Sequence, residues 1–377
     1  MNADKLRRKI LGKEGKWKLL FPFLWGLSKL YCGVMAFRNF LYDSGLIKPF
    51  RFGFPVISVG NIVAGGAGKT PLTESIYLLL EEVGFSPAIV SRGYRGKEKG
   101  PTFAEPDPKR FGDEASLYAL KKYRTVVSKE KIRGINFAFK NGANVVILDD
   151  GFQYRKVTPK VNIVAVDPFN PFGDGYCLPL GLLREPLKGL ERADCFVITR
   201  SNLVEPRKLE SLELYLRTFK KPIFHAEQSF KFWVNQNFDK VEPPRGEIDV
   251  FCGIGNPGQF VEMLLKMGYT IRNLFIFNDH HEYTEEEIKK LRKLKNPVTT
   301  EKDLIKLKGK GIEAKAPVLR FEAYGLKEFI LSNLQGTEKA KEEDVEGDLT
   351  PAGVSTFKGQ PLYGKQAFTG NGLQGRR

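Results

Sequence analysis

Val56-Ile-Ser-Val-Gly-Asn-Ile-Val-Ala-Gly-Gly-Ala-Gly-Lys-Thr-Pro71 is the stretch that decides the fold. Its first residues are β-prone and mostly apolar, its middle is glycine-rich, and Lys69-Thr70 opens a helical segment over 72–82. A phosphate chain needs this strand–loop–helix order. Gly65, Gly66 and Gly68, with Ala67 between them, let backbone N–H groups approach phosphate oxygens, and the helix N-terminus adds partial positive charge. Lys69 is placed to reach the β/γ-phosphates, and the Thr70 hydroxyl to take a Mg²⁺ coordination site. The strict spacing G-x-x-x-x-G-K-[ST] asks for glycine at position 63, where this chain has Val63. The loop is therefore a variant, with Gly60 displaced from the usual place.

A second run, Val145-Val-Ile-Leu-Asp149-Asp150, ends in two carboxylates. That is the form of a buried parallel strand delivering an acid to Mg²⁺. Gly151-Phe152-Gln153 follows directly. Together with the loop upstream, this makes hydrolysis or transfer of a phosphoryl group from ATP or GTP the leading class. Composition agrees. A chain of 377 residues favours two domains, and 42% hydrophobic residues support globular cores. The net charge of +16 favours anionic partners: nucleotide, nucleic acid or an anionic membrane surface. Cys32, Cys177, Cys195 and Cys252 lack C-x-x-C spacing, which fits a reducing compartment and offers no structural zinc pattern. His225, His280 and His281 are the only histidines, too few for a histidine-rich metal centre.

The N-terminus is basic from Lys5 to Lys18 and apolar from Leu19 to Phe37. No signal-peptide cleavage pattern follows the apolar run. Lys29 divides it, and a lysine at mid-bilayer costs about 2.5–3.5 kcal/mol on insertion scales. Leu20, Leu24, Leu27, Tyr31, Val34 and Met35 recur at helical spacing. An amphipathic helix lying in a membrane interface is expected, ahead of a helix docked on the protein's own core or a single span.

Downstream, strand patterns at 56–59, 88–91, 125–128, 145–148, 162–166 and 195–199 alternate with helical segments, as in doubly wound α/β proteins. Ligands then gather at the carboxyl ends of the strands, where the glycine loop, Arg92, Asp113 and Asp149 fall. A hairpin is expected around 222–234, and a second α/β unit after it, with strands at 249–253, 274–277, 297–300 and 318–321. The fold class is α/β: two α/β/α sandwich domains, the first a mostly parallel phosphate-loop sheet, joined by a hairpin-like linker. The expected divisions are 1–42 (basic N-terminus and interface helix), 43–220 (nucleotide domain), 221–245 (linker), 246–334 (second domain) and 335–377 (disordered tail).

The chain resembles the tetraacyldisaccharide 4′-kinase family at ordered strings spanning roughly 19–325. These are the loop itself, Ser91-Arg-Gly-Tyr94, Gly112-Asp-Glu114, Leu148-Asp-Asp-Gly-Phe-Gln153, Leu183-Arg-Glu-Pro186, Gly253-Ile-Gly255, Asp279-His280 and Thr299-Thr-Glu-Lys-Asp303. The resemblance also accounts for Val63. It implies a kinase using ATP and Mg²⁺ on the 4′-hydroxyl of an acylated glucosamine disaccharide 1-phosphate, at the cytoplasmic face of the bacterial inner membrane. Peripheral or monotopic attachment is implied, with no nucleic acid and no obligate protein partner. It further implies Asp113 as the base that takes the sugar hydroxyl proton and His280 as its partner. Asp149, Asp150 and Glu185 become acids on the Mg²⁺ side, and Arg184 neutralises charge on the transferring phosphoryl group. Two departures stand out. Tyr154 replaces a frequent family histidine, and either Lys131 or Arg133 takes the place of a family arginine.

Plainer readings accompany these. Asp113 resembles a helix cap, His280 and His281 surface loop residues, and Arg184, Lys188 and Arg192 an exposed face. The rival functions are a phosphate-loop kinase or GTPase acting on a soluble substrate, and a nucleic-acid-binding ATPase. Dispersed positive residues without aromatic interleaving count against the second.

Overall fold

The computed structural model describes Arg7, Lys9, Leu11, Gly12 and residues 19–279 and 281–335. His280, most of the basic N-terminus and the tail beyond 335 lie outside the described residues. Helix α1 (Leu20–Asp43) precedes strand β1 (Val56–Gly60), and α2 (Lys69–Glu82) follows the glycine loop. Next come β2 (Pro87–Ser91), β3 (Thr102–Phe103), the single turn α3 (Pro108–Phe111), α4 (Asp113–Leu120) and β4 (Thr125–Val127). Then follow α5 (Lys131–Lys140), β5 (Val145–Asp149), β6 (Val161–Val166), β7 (Cys195–Thr199), α6 (Pro206–Arg217), β8 (Ile223–Val234) and β9 (Lys240–Val241). The remainder is β10 (Ile248–Cys252), α7 (Pro257–Lys266), β11 (Ile271–Ile276), α8 (Glu285–Leu291), β12 (Pro297–Val298), α9 (Glu301–Lys306), β13 (Ala316–Ala323) and α10 (Leu326–Leu334).

The main sheet has the order β13-β8-β7-β6-β1-β5-β2-β4-β3, with β9 paired to β8. From β8 to β4 every neighbour is parallel, while β13, β9 and β3 are antiparallel additions. Strands β1, β2, β5, β6 and β7 are buried at every residue, which is why they read as unbroken apolar runs rather than alternating ones. Alternate residues still serve opposite faces. Ile163, Ala165, Cys195 and Val197 join Leu72, Ile76 and Leu80 of α2 in one cluster. Val164, Val166, Phe196 and Ile198 join Leu212 and Leu216 of α6 in another. A separate three-stranded parallel sheet has the order β11-β10-β12.

Two expectations about the later chain need correcting. The strand expected at 318–321 in a second unit is β13, which returns to the main sheet and pairs antiparallel with β8 from Ala316 to Ala323. The stretch expected as a linker hairpin is mostly β8, whose first half pairs parallel with β7. Only its end turns back as a hairpin, Trp233 facing Val241 and Val234 facing Lys240. β8 is long enough to bond β7 first and β13 and β9 afterwards. Short-range pattern registers the turn but not these distant partners.

Helix α1 keeps polar residues for its buried side. Its buried residues are Ser28 and Asn39, whereas Phe23, Leu30 and Phe37 are 65%, 66% and 63% exposed. The Ser28 hydroxyl donates to the Cys177 carbonyl at 2.7 Å and the Tyr31 hydroxyl to the Arg184 carbonyl at 2.9 Å. Polar groups fasten the helix to the protein, and apolar ones face outward. At 24 residues it is long and apolar enough to cross a membrane.

Gly60 ends β1 where the chain after β5 crosses it. A Cβ at Gly60 would lie 2.5 Å from both the nitrogen and the Cβ of Phe152. Gly60→Ala is expected to destabilise the fold by about 1–3 kcal/mol or more, since neither neighbour can retreat within a close-packed sheet. A urea titration checks this; an unchanged midpoint would mean that the Phe152 segment gives way freely.

Candidate functional site

Strands β1 and β5 run parallel with Val59 opposite Asp149, so the loops leaving their carboxyl ends meet. The glycine loop closes on Gly68, left-handed at φ 75°, where a Cβ would sit 2.9 Å from the Phe321 ring and 3.2 Å from Thr199 Cβ. Conformation and crowding both require glycine there. Helix α2 begins at Lys69, so its unpaired N–H groups and positive dipole end face the loop. Val63 is buried among Ile62, Phe152 and Leu183 and bridges to Leu183. The side chain that breaks the strict motif thus fastens the loop to the segment carrying Arg184.

Two charged groups, Asp150 and Arg184, gather beside Lys69. Its ammonium donates to Asn61 Oδ1 at 2.8 Å and lies 3.3 Å from Asp150 Oδ1. Arg184 Nη1 donates to both Asp150 oxygens, at 2.8 and 2.9 Å. Burial pushes the Lys69 pKa down, and the Asp150 charge opposes that. For Asp150, burial would raise the pKa, but Lys69, Arg184 and Lys131 outweigh it and hold the carboxyl well below the usual range. Asp149 goes the other way, raised to about 6 by burial and then by the charge on Asp150. The two adjacent acids are therefore unlike: Asp150 is held ionised by its cationic neighbours, and Asp149 holds a proton more tightly than an ordinary carboxyl. Both acids and the Thr70 hydroxyl are hard oxygen donors, the type that Mg²⁺ takes.

Of the two candidates for the family arginine, Lys131 is buried and Arg133 exposed. Lys131 Nζ donates to the main-chain oxygens of Asp149 at 2.6 Å and Asp150 at 2.8 Å, and burial lowers its pKa. It holds the turn that aims the acids, in which Asp150 adopts a positive φ of 52°.

Glu185 is not brought to this group. Fully buried, it accepts from Asn39 Nδ2 at 2.6 Å, Gln153 Nε2 at 3.1 Å, and Arg192 Nη2 at 2.9 and 2.8 Å. Its oxygens are committed to helix α1, the Gly-Phe-Gln turn and Arg192, in place of the metal-side role expected from the sequence. Arg192, expected on a plain exposed face, has a side chain only 16% exposed.

Asp113 opens α4 at its first helical position, while Gly112 is the N-cap, with no side-chain capping bond. Asp113 is thus an acid of the first helical turn rather than the N-cap itself. A Cβ at Gly112 would lie 2.3 Å from the Tyr94 carbonyl, so this glycine lets the Ser91–Tyr94 turn pack onto the start of α4. Asp113 Oδ2 lies 3.2 Å from Lys306 Nζ of α9. His280 lies outside the described residues; its neighbour Asp279 comes within 3.4 Å of where a Cβ on Gly255 would stand.

Several site residues escaped the sequence reading. Asn61 and Gln153 stand inside quoted motifs, and their amide bonds tie Lys69 to the turn after β5: Gln153 Nε2 donates to the Asn61 carbonyl at 2.8 Å. Arg200, just past the end of β7, donates to the Gly66 carbonyl at 2.7 Å and to Gln259 Oε1 at 2.9 Å, and pairs with Asp167 at 2.8 Å. Its position after a strand end was the available signal. Lys306 had none.

If Glu185 works as this buried anchor, Glu185→Ala should cost about 3–5 kcal/mol, because Arg192 and Asn39 lose their shared partner inside the protein. Chemical denaturation measures it. A variant as stable as the parent would return Glu185 to a ligand role.

Comparison with known proteins bears on the chemistry of this site. The family model described as Tetraacyldisaccharide-1-P 4'-kinase matches residues 20–334. A Tetraacyldisaccharide 4'-kinase of Desulfotalea psychrophila is 37% identical over 312 residues, 78% of this chain and 89% of that protein. One from Chlorobaculum parvum is 37% identical over 300 residues, 74% of this chain and 82% of that protein. The crystal structure of LpxK from Aquifex aeolicus in complex with ATP superposes with a TM-score of 0.68 at 31% identity, covering 84% of this chain and 99% of that one.

Proposed function

We infer the activity from one premise: this chain belongs to the Tetraacyldisaccharide-1-P 4'-kinase family. It is an ATP-dependent kinase that transfers the γ-phosphate of ATP to the 4′-hydroxyl of tetraacyldisaccharide 1-phosphate in lipid A biosynthesis. The observation that carries this reading onto particular residues is the gathering of Lys69, Asp150 and Arg184 at the N-terminus of α2.

The roles follow from that placement. The loop amides from Gly65 to Gly68 cradle the phosphates, and Lys69 and Arg184 neutralise charge as the γ-phosphoryl group moves. Thr70, Asp149 and Asp150 would hold Mg²⁺, which would supply positive charge against the transferring phosphoryl group. Asp113 accepts the proton of the attacking sugar hydroxyl, with His280 as its partner. Glu185 supports Arg184 from behind rather than meeting the metal. Helix α1 rests in the cytoplasmic face of the inner membrane, its outward Phe23, Leu30 and Phe37 among acyl chains and Lys29 near the headgroups. The lipid acceptor is then delivered to the side of the protein where Tyr31 bonds the Arg184 carbonyl.

Incubating the protein with Mg-ATP and acylated disaccharide 1-phosphate should add one phosphate, read by mass spectrometry. Lys69→Ala should fold normally and lose at least about a hundredfold in kcat, the scale of a deleted charge-stabilising group. Near-parental turnover would remove Lys69 from the mechanism.

The membrane reading has its own test. Replacing Phe23, Leu30 and Phe37 together with Ser should weaken co-sedimentation with anionic vesicles and raise the KM for lipid, leaving ATP affinity unchanged. Equal pelleting of variant and parent would move membrane contact to another surface.

A further inference from the structure

Helix α9 lies along α4 through a row of ion pairs. Lys121, at the end of α4, bonds Glu74 of α2 and Glu301 of α9, each at 2.8 Å; Lys302 of α9 bonds Glu114 of α4 at 2.9 Å. The last pair in the row differs because it involves the carboxylate assigned to chemistry. Lys306 Nζ stands 3.2 Å from Asp113 Oδ2 and 3.6 Å from Asp303 Oδ1. These side chains are 10%, 14% and 0% exposed, so salt screens the pair far less than it would a surface one.

Lys306 is itself held on a fixed support. Asp303 Oδ2 accepts from the Gly253 backbone N–H at 2.9 Å and from the Thr300 hydroxyl at 2.7 Å. Its carboxylate cannot follow the ammonium without breaking bonds to the end of β10 and the start of α9. Lys306 reaches both Asp113 and Asp303; Lys302, bonded to Glu114, lies within the fields of Asp113 and Asp279; and His280, the partner assigned to Asp113, lies outside the described residues. Three other carboxylates thus share these two ammonium groups with Asp113, and one of the two is bonded to Glu114. Remove Lys306 and the surroundings become more negative, in a place already poor in water. Both changes favour a protonated carboxyl, which cannot serve as a base.

We propose that Lys306 is the positioning residue for Asp113: its ammonium keeps that carboxylate ionised and fixes the direction of Oδ2 in the phosphoryl-acceptor site. The proposal rests on the reading of Asp113 as general base. It assigns α9 a part in the reaction, as the rigid carrier of the charge that makes Asp113 available at neutral pH. Lys306 acts through Asp113 and makes no contact with the reacting atoms.

The test uses the full-length protein with Mg-ATP and acylated disaccharide 1-phosphate, and compares Lys306→Met, Lys306→Gln, Lys306→Arg and Asp113→Asn. For Lys306→Met we expect kcat to fall about tenfold to a hundredfold at neutral pH. The acid limb of kcat/KM should move up by about one pH unit, because a carboxylate deprived of its cation binds a proton more tightly. ATP affinity by calorimetry should stay unchanged, and Lys306→Arg should recover most of the rate with the parental acid limb. Parental kcat and an unmoved limb in Lys306→Met would overturn the proposal, as would an arginine variant as impaired as the methionine one. If Lys306→Met fails to fold, the glutamine and arginine variants carry the same comparison. If both neutral variants unfold while Lys306→Arg is fully active, Lys306 is a folding residue and the positioning role is wrong. Asp113→Asn separates the two readings. Retained turnover there sinks the base assignment, whereas an inactive Asp113→Asn beside an unaffected Lys306→Met sinks only the role of Lys306.

Discussion

A carboxylate removed from water must have its oxygens satisfied, and at Glu185 that requirement ties three parts of the chain into one geometry. Asn39 comes from α1, Gln153 from the turn after β5, and Arg192 from the 3-10 turn before β7. A buried ion pair adds little net stability compared with a well-packed apolar substitute, but its geometry is unforgiving. Glu185 therefore acts less as a source of stability than as a gauge. Helix α1 cannot shift along its axis, nor the Gly-Phe-Gln turn tilt, without stranding charge. The Arg184 guanidinium next to it inherits this precision, with its main chain pinned by Ile62 at 2.9 Å and Tyr31 at 2.9 Å.

The same logic explains why α1 presents its apolar side outward. A helix docked by apolar contacts would leave polar residues for the surface; this one spends Ser28, Tyr31 and Asn39 on the protein. Leucine, valine and phenylalanine then remain exposed as a contiguous strip, a pattern that marks an interaction surface when it occurs on a folded protein. A helix held by directional hydrogen bonds keeps its rotation about its own axis fixed, so the strip faces one way relative to Arg184. The direction of the exposed apolar strip and the placement of Arg184 thereby become a single geometric fact.

Much of this was legible in the chain. The strand–glycine–helix order, the acids ending β5 and the central strands could be read because each depends on neighbours in sequence: apolar runs for two-sided burial, glycine for turns, carboxylates at strand ends. The positions of Asp149 and Asp150 relative to Lys69 follow almost automatically once β1 and β5 are parallel neighbours. Pairings decided by distant partners were out of reach. β13 joins β8 although another sheet intervenes, and no local pattern distinguishes an edge strand of one sheet from that of another. For α1, apolar spacing pointed to a side turned away from the protein, but gave no sign of Ser28 and Asn39, the polar residues that fasten the other side. Glu185 looked like a ligand because the sequence shows a carboxylate near the site and not the three donors that converge on it.

The return of β13 has a further consequence for how the later chain relates to the phosphate loop. Phe321 on β13 lies against Gly68, and the Ser75 hydroxyl of α2 donates to the Phe321 carbonyl at 2.8 Å. The strand that leaves α9 is thus braced on the very helix whose N-terminus receives phosphate. On the other side, Arg200 joins the Gly66 carbonyl to Gln259 on α7. The phosphate loop is therefore gripped from two directions by elements that belong to, or lead from, the smaller sheet. Glycine was needed at Gly68 for the left-handed turn, yet the absence of a side chain is equally what admits Phe321. Its one conformational permission serves both the left-handed turn of the glycine loop and the seating of β13, the strand that follows the helix carrying Lys306.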